Sequence, residues 1–403
     1  MNQDSRPAAG TSIELFTGGG GLALAMQEAG FRHLLVNELE PRACETLRRN
    51  GARDQNIPAS SRQHGGHWPL IEGDVHTLDF SSWLGDVDVV AGGVPCQPWS
   101  LGGVHKGHDD SRNLWPELFR CIRETQPRAV IAENVRGLLR ASFRPYYEYI
   151  LRELSAPFEQ CVNGEEWWDH DKRLEKIIRT DGRNTTERYD VKYISVNAAD
   201  YGVPQVRHRV FVFAFRRDLG LHNWVPPLPT HSELALVQAQ DDGSYWEEHG
   251  IVSPRRERIP DLFQVSSSSS KRWRTLRDAI AGLPEPLGDR IEHPEWLYHY
   301  GWTGARRYTG HMPNYLDRPA KTVKAGVHGV PGGETVMQLD DGRIRYMTVR
   351  EVARVMTFPD NWQLAGPRGE QMRQLGNAVP IVLGRVMAEA VAEALAKTGK
   401  KVA

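Results

Sequence analysis

The sequence predicts a doubly wound α/β fold with a smaller, irregular second domain. Three observations carry that prediction. Short apolar runs of strand length alternate with helical stretches between Ile13 and Val135. These runs end in polar residues, Glu38, Asp74, Cys96 and Glu133, and in open α/β sheets ligands bind at the carboxyl ends of strands. The first run opens into consecutive glycines, Gly18 to Gly21, where a strand turns into a helix.

In chain order, residues 1–12 are polar and read as a disordered lead-in, with no apolar segment of the secretory type. Ser12 to Thr17 reads as a strand, and Leu22, Ala25 and Met26 open a helix after the glycines. Such a turn lets a ligand approach the backbone and leaves helix-start N–H groups to bind it, although a glycine run alone can be plain loop. Leu34-Leu35-Val36 forms a second strand ending in Asn37-Glu38. An acid about 20 positions past the glycines is where nucleotide folds hold ribose hydroxyls, so Glu38 is a ribose ligand candidate; a solvated surface acid is the alternative. A helix follows from Ala43 to Arg49, then a stretch without clear period from Gly51 to Trp68. Leu70 to Val75 again ends an apolar run in Gly73-Asp74. Asp74 suits either a base amino group or the capping of its own loop.

The run Val87 to Val90 passes through Gly92-Gly93-Val94-Pro95 into Cys96-Gln97-Pro98-Trp99-Ser100. An unpaired cysteine is most often a small buried hydrophobe. Here prolines flank it and a glycine-rich polar run continues to Asn113, so it reads as a loop-borne thiolate nucleophile beneath a lid, Trp99 to Asn113. Leu114 to Glu124 has helical spacing, and Arg128 to Ala132 is a buried strand ending in Glu133-Asn134-Val135. Tyr193 to Asn197 and Val210 to Phe215 suggest a second half-sheet. Between them Arg207 and Arg209, two apart on an incoming strand, are expected to face the same way and to meet phosphate or base. The charged segment Asn163 to Asp190 reads as an insertion.

From Arg217 the character changes. Pro226 to Pro229 signals a linker and Ser266 to Ser270 is low-complexity, with few clean helices between them. Arg255, Arg256, Arg258, Lys271, Arg272, Arg274 and Arg277 surround Trp273 against two acids, Glu257 and Asp261; this is a phosphate-contacting patch or a solvated loop face. Arg318 to Val323 precedes a Gly/His loop, Gly326 to Gly333. Thr348 and Glu351 form a capping box, Phe358-Pro359 stops that helix, and Gly376 to Pro380 opens a last one through Ala396. That helix is expected to pack back on the first domain, giving boundaries at 1–216, 217–332 and 333–403.

The totals limit the function classes. With 403 residues, 50 Lys plus Arg and 51 Asp plus Glu, net charge points to no polyanion partner, and any nucleic-acid surface must be local. Cys44, Cys96, Cys121 and Cys161 lack metal or disulfide spacing, so no metal site is expected and reduced thiols suit the cytoplasm. No apolar run reaches membrane-spanning length.

Together the segments resemble the DNA (cytosine-5)-methyltransferases, closest to the single-chain bacterial enzymes of restriction–modification systems. The resemblance rests on Glu14-Leu15-Phe16-Thr17-Gly18, Asn37-Glu38, Gly73-Asp74, Pro95-Cys96-Gln97, Glu133-Asn134-Val135, Gln205 to Arg209, Arg318 to Val323 and Gly376 to Val379, eight motifs in the expected order over nearly the whole chain. It implies a Rossmann-like S-adenosylmethionine-dependent catalytic domain, completed by residues 333–403, with 217–332 as target-recognition domain. It implies that Phe16, Thr17, Gly18, Gly20, Gly21, Glu38, Asp74, Val75, Pro95, Asn377 and Ala378 surround the cofactor, with Trp99 covering its methionine end. Cys96 becomes the nucleophile, Glu133 the acid reading cytosine, and Arg207 and Arg209 assist at the base and its phosphate. Gln97, Ser100 and Arg318 face DNA. The expected partner is double-stranded DNA, with a cognate restriction endonuclease acting on the same site, and the expected protein is a cytoplasmic, nucleoid-associated monomer. The first motif departs by Glu14 and Thr17, where Asp and Ala are commoner, and Trp99 stands where Phe is usual.

The chemistry accounts for these residue types. Cytosine carbon 5 is a poor nucleophile until a thiolate adds at carbon 6 and leaves an enamine-like ring. A carboxyl at ring N3 neutralises the charge that develops. The base must leave the duplex stack, which costs a few kcal/mol. Three other readings fit the residues less well. An RNA methyltransferase of the same fold usually carries Cys-Phe-Thr, absent here. An idle DNA-binding paralogue would have lost Cys96 or Glu133. A nucleotide-dependent oxidoreductase explains neither Pro95-Cys96-Gln97 nor the late return of the chain.

Overall fold

A computed structural model describes residues 9–55, 67–95, 113–180, 186–252, 270–307, 309–310, 312–325 and 335–399. Its centre is an eight-stranded sheet in the order β3-β4-β2-β1-β5-β6-β8-β7. The strands are β1 (Gly10–Leu15), β2 (Phe31–Glu38), β3 (Ala52–Asp54), β4 (Trp68–Glu72), β5 (Val89–Gly93), β6 (Ala129–Val135), β7 (Tyr189–Asn197) and β8 (His208–Arg216). All pairings are parallel except those of β8, which runs antiparallel to both β6 and β7. The strand order reverses between β1 and β5, and their carboxyl ends, Leu15 and Gly93, open the crevice expected at such a switch point. The first strand begins at Gly10, inside the stretch read as lead-in; Thr11 there donates from its backbone to Asp88 at 2.8 Å.

Two helical layers cover the sheet. On one face lie α3 (Trp115–Thr125), α4 (Arg144–Ser155) and α5 (Trp167–Thr180); on the other, α1 (Gly21–Glu28) packs against α11 (Ile381–Ala396). Strand β8 shows the alternation that divides the layers: Val210, Val212 and Ala214 belong to the first core, Phe211, Phe213 and Phe215 to the second. Leu383, Met387 and Val391 of α11 are buried there with Leu22 and Met26, each worth about 1.5–3 kcal/mol of apolar burial. Gly384 permits the contact, since a Cβ there would lie 2.8 Å from the Ala25 side chain. The segment read as an insertion supplies α5. Trp167 meets Tyr146 edge-on with ring centres 5.3 Å apart, and buried His170 joins the Tyr149 hydroxyl at 3.0 Å.

A third core joins α2 (Pro41–Arg49), α8 (Leu276–Ile280), α9 (Val349–Val355) and α10 (Arg368–Asn377). The capping box at Thr348 is present, its hydroxyl accepting from Glu351 and the Glu351 carboxylate accepting from the Thr348 N–H. Within the stretch expected to hold few helices, α6 (Glu233–Asp242) and α7 (Ser244–Glu248) fold around buried Leu236, Tyr245 and Trp273. They flank the two-stranded pair β9 (His231–Ser232) and β10 (Lys271–Arg272). A three-stranded sheet, β11 (Asn314–Tyr315), β12 (Val336–Gln338) and β13 (Ile344–Tyr346), joins residues on both sides of position 332. No described helix is long and apolar enough to cross a membrane.

Candidate active site

A cavity of about 740 Å³ lies at the switch point, and most of the residues singled out from the sequence line it. From the end of the first strand and the turn into α1 come Glu14, Phe16, Thr17, Gly18 and Gly21. The chain turns sharply there: Phe16, Gly18 and Gly20 have φ of 58°, 55° and 91°. Thr17 ties the turn to the second strand through its N–H and hydroxyl, both donating to the Asn37 carbonyl at 3.1 and 3.0 Å. Gly20 stands outside the lining and serves packing: a Cβ would reach 2.8 Å from the Trp362 ring. Gly21 lets the entry to α11 approach, since its Cβ would meet the Val379 carbonyl at 2.4 Å.

Glu38 closes the side wall. Its carboxylate accepts from Gly18 N–H at 2.6 Å and from the N–H groups of Leu39 and Glu40 at 2.9 and 2.8 Å. Burial nevertheless raises its pKa, against those three bonds. Asp74 is exposed on the rim and caps the turn Val75–Thr77, accepting from His76 N–H at 3.0 Å and meeting the His76 ring at 2.6 Å. Those backbone and ring contacts hold its pKa low. The loop-capping reading of Asp74 is the one seen, and the residue also borders the cavity. Val75, Pro95, Asn377 and Ala378 complete the lining, the last two brought in by the end of α10.

At the far end Glu133 and Arg209 form a buried pair, Arg209 Nε to Glu133 Oε1 2.7 Å, with side chains 9% and 12% exposed respectively. Antiparallel pairing sets Val135 opposite Arg209 and Glu133 opposite Phe211, so the arginine lies diagonally across from the acid. Asn134 donates from Nδ2 to the Val94 carbonyl at 2.8 Å and fixes the chain entering Pro95. The Pro95 carbonyl in turn accepts from Leu114 N–H at 3.4 Å, and Asn113 donates to the Tyr146 hydroxyl at 2.7 Å. The two flanks of the segment containing Cys96 thus stand side by side next to Glu133. Cys96, Gln97, Trp99 and Ser100, with the lid up to Ser111 and Arg112, lie outside the described residues, as do Arg255, Arg256, Arg258 and the loop Gly326 to Gly333.

Arg207 corrects the expectation of two arginines facing one way. It precedes β8, is fully buried, and donates to the carbonyls of Val323 at 2.8 Å, Gly376 at 2.6 Å and Ala378 at 3.1 Å. Burial, then the charge of Arg209, pushes its pKa down to about 9, so it remains a cation at neutral pH. A guanidinium enclosed by three carbonyls holds chain segments and has no open side for a base or phosphate. Arg318 is half-exposed, pairs with Glu233 at 2.6 Å, and stands away from the cavity.

Glu14 is the group that the sequence reading passed over as a mere departure from pattern. It is 1% exposed, and its Oε2 has no partner. Burial drives its pKa well above the carboxylate range, against a bond from Ala23 N–H. Length alone carried a signal, because Glu at the end of a buried strand must bring its carboxyl into a pocket or pay for desolvation. Elsewhere Glu248, His249 and Asp278 stand close enough to share an ion, yet Arg272 holds both carboxylates at 2.8 and 2.7 Å, which makes the cluster a salt-bridge network.

A switch-point cavity joining a glycine turn, a strand-end acid and a buried acid–arginine pair defines a Rossmann-like cofactor-dependent enzyme. The family model for C-5 cytosine-specific DNA methylases matches residues 10–156 and 168–393. Type II methyltransferase M.Eco47II of Escherichia coli is 31% identical over 401 residues, covering 97% of this chain and 81% of that protein. Type II methyltransferase M.NgoMIV of Neisseria gonorrhoeae is 29% identical, covering 96% of this chain and 98% of its own. Among solved structures, S. pombe Dnmt2 methyltransferase superposes with a TM-score of 0.55 at 16% identity, covering 97% and 99% of the two chains. The chain belongs to the C-5 cytosine-specific DNA methylase family and is a DNA (cytosine-5)-methyltransferase, with enzymes of restriction–modification systems among its relatives.

Proposed function

We propose that this chain methylates carbon 5 of a cytosine flipped out of duplex DNA at one short sequence, using S-adenosylmethionine and a covalent adduct of Cys96. The observation that carries the reading is one cavity in which Glu38 and the glycine turn stand at one end and the Glu133–Arg209 pair at the other. The residues suit that cofactor. Glu38 accepts ribose hydroxyls, Leu39 and Val75 offer apolar surface to the base, and the unpartnered Glu14 oxygen is available to a cationic amino-acid end. When bound, the cofactor supplies an electrophilic methyl group.

The chain's own residues do the rest. Cys96 adds through sulfur to carbon 6, and the electron pair displaced from the 5,6 double bond makes carbon 5 nucleophilic. Glu133 holds a proton at ring N3 as charge gathers there, and Arg209 keeps that carboxyl aimed. Once carbon 5 has taken the methyl group, a water molecule accepts its proton, the freed electron pair re-forms the 5,6 double bond, and the thiolate leaves. Arg207 acts in this reading as a positioning residue, tying Val323 to Gly376 and Ala378. Residues 217–332 read the target sequence, and the protein acts as a monomer on nucleoid DNA beside a nuclease of the same specificity.

The test is conversion-based sequencing of genomic DNA from a host expressing the protein, beside the Cys96→Ala form. The expected result is 5-methylcytosine at one recurring site, absent in the variant, whose cofactor binding survives. Absence of marks with the wild-type chain, or loss of cofactor binding in the variant, would overturn the assignment.

A further inference from the structure

Strand β6 carries Glu133, ends at Val135 and passes directly into a 3-10 turn, Arg136–Leu139, that leads to α4. The buried Leu138 pins this turn to the core, so Arg136 and Arg140 are held on the surface by a fixed piece of backbone. Both are exposed, and among the described residues neither guanidinium has a hydrogen bond or ion pair, the Arg140 backbone alone bonding to Gly137, Phe143 and Arg144. Arg179 of α5 is also exposed and without an ion pair, but Arg136 directly follows a strand whose end lines the cavity. Arg120, Arg128, Arg152, Arg173, Arg188 and Arg216 on the same half of the molecule all hold carboxylates. Arg144, one helical turn further on, is exposed but holds Glu148 at 2.9 Å. Leaving two guanidiniums unpaired on the turn that follows a cavity-lining strand keeps their charge available to an outside anion.

Distance decides which anion. Arg136 is three residues from Glu133, and an extended chain spans at most about 3.3–3.6 Å per residue, so their Cα atoms are within roughly 11 Å. Val135, the neighbour of Arg136, lines the cavity with Glu133, so a nucleotide whose base sits against Glu133 brings its flanking phosphates toward this part of the rim. We infer that Arg136 and Arg140 form a clamp for the backbone phosphates that flank the flipped cytosine on the target strand. The inference rests on the base-flipping reading above and adds to it the surface along which the strand enters. Such contacts position the strand and carry no sequence information.

The experiment measures binding of a duplex containing the methylation site as a function of salt, for the wild-type chain, Arg136→Ala/Arg140→Ala and Arg136→Lys/Arg140→Lys. Each lost phosphate contact lowers the slope of log K against log salt by about 0.9. The alanine pair is expected to lose a slope of about 1.8, so raising salt from 50 to 200 mM weakens it roughly twelve-fold less than wild type. The lysine pair should keep most of the slope, and the sequence methylated should not change in either. Melting temperature and cofactor affinity, read on the same samples, separate a lost contact from a misfolded chain. An unchanged salt slope in a folded alanine pair overturns the clamp, as does a changed target sequence. A wild-type chain that neither binds nor methylates the duplex overturns the base-flipping reading instead.

Discussion

Replacing Arg209 by alanine removes the cation facing Glu133. The pair is 2.7 Å apart and its side chains are 12% and 9% exposed, so solvent screens the interaction little. Unit charges about 4 Å apart at an effective dielectric of 20 attract by roughly 4 kcal/mol. Removing one partner of a buried pair typically costs about 3–5 kcal/mol, because the other charge is left uncompensated. Arg209→Ala should therefore lose about 3–5 kcal/mol in urea unfolding. Single-turnover methylation should fall by on the order of 100-fold or more, the usual loss when a group that stabilises developing charge is misaligned. Arg209→Lys returns the charge as one point donor without the planar fork and should recover part of both losses. Glu133→Gln/Arg209→Ala should be less destabilised than Arg209→Ala alone, since the amide carries no charge to strand. An Arg209→Ala protein within about 0.5 kcal/mol of wild type, the ordinary scatter of surface substitutions, and with an unchanged single-turnover rate would refute the argument.

Gly376→Ala should destabilise the protein by about 1–3 kcal/mol and weaken cofactor binding, because the new Cβ would lie 2.5 Å from Ala325 N and Lys324 C, which are backbone atoms; unchanged melting and titration calorimetry would contradict it. Exchanging residues 217–332 with those of a relative should change the methylated sequence and leave the chemistry intact, as read by conversion-based sequencing; an unchanged site would contradict the assignment of that segment. Two buried groups should give opposing pH dependences. His33, enclosed with Ser12 and the Ala23 carbonyl, has its pKa lowered from 6.5 to about 4 by burial, so its unfolded form protonates first and stability falls as pH drops from 6.5 to 4. Glu153, buried in α4, has its pKa raised from 4.5 to about 7, so stability falls as pH rises from 4.5 to 7. Each contributes at most about 1.4 kcal/mol per pH unit within its window. Relative to wild type, His33→Gln should gain stability below pH 6.5 and Glu153→Gln above pH 4.5, measured by urea titration; the same pH profile in all three proteins would contradict both.

Much of the site was legible because its signals are local. Strand ends declare themselves by an apolar run meeting Gly, Pro or an acid, which is how Glu38, Asp74 and Glu133 could be placed at one edge of a sheet from residue type and spacing. The glycine turn and the capping box at Thr348 are likewise properties of a few adjacent residues. Helices α6, α7 and α10 were less legible. Their apolar faces are narrow, and α10 buries Gln371 and Gln374 alongside its apolar residues, so a hydrophobic period reports it poorly.

Arg207 marks the boundary most clearly. Its spacing from Arg209 implied a shared face, but strand β8 begins one residue later, and the two guanidiniums have different neighbours. Which of two equivalent-looking arginines holds the acid and which holds the backbone depended on carbonyls at 323, 376 and 378, more than a hundred positions away. Glu14 is similar: its identity was plain, while its isolation within the cavity wall was set by α1 and its neighbours closing over it. The sequence alone determined the alternation of strands and helices, the chemistry available at each strand end and the family motifs, because those depend on residue type and short spacing. Only the tertiary structure decided which charges are paired, which are buried and which face outward, because desolvation and Coulomb energy depend on every group that the fold brings near.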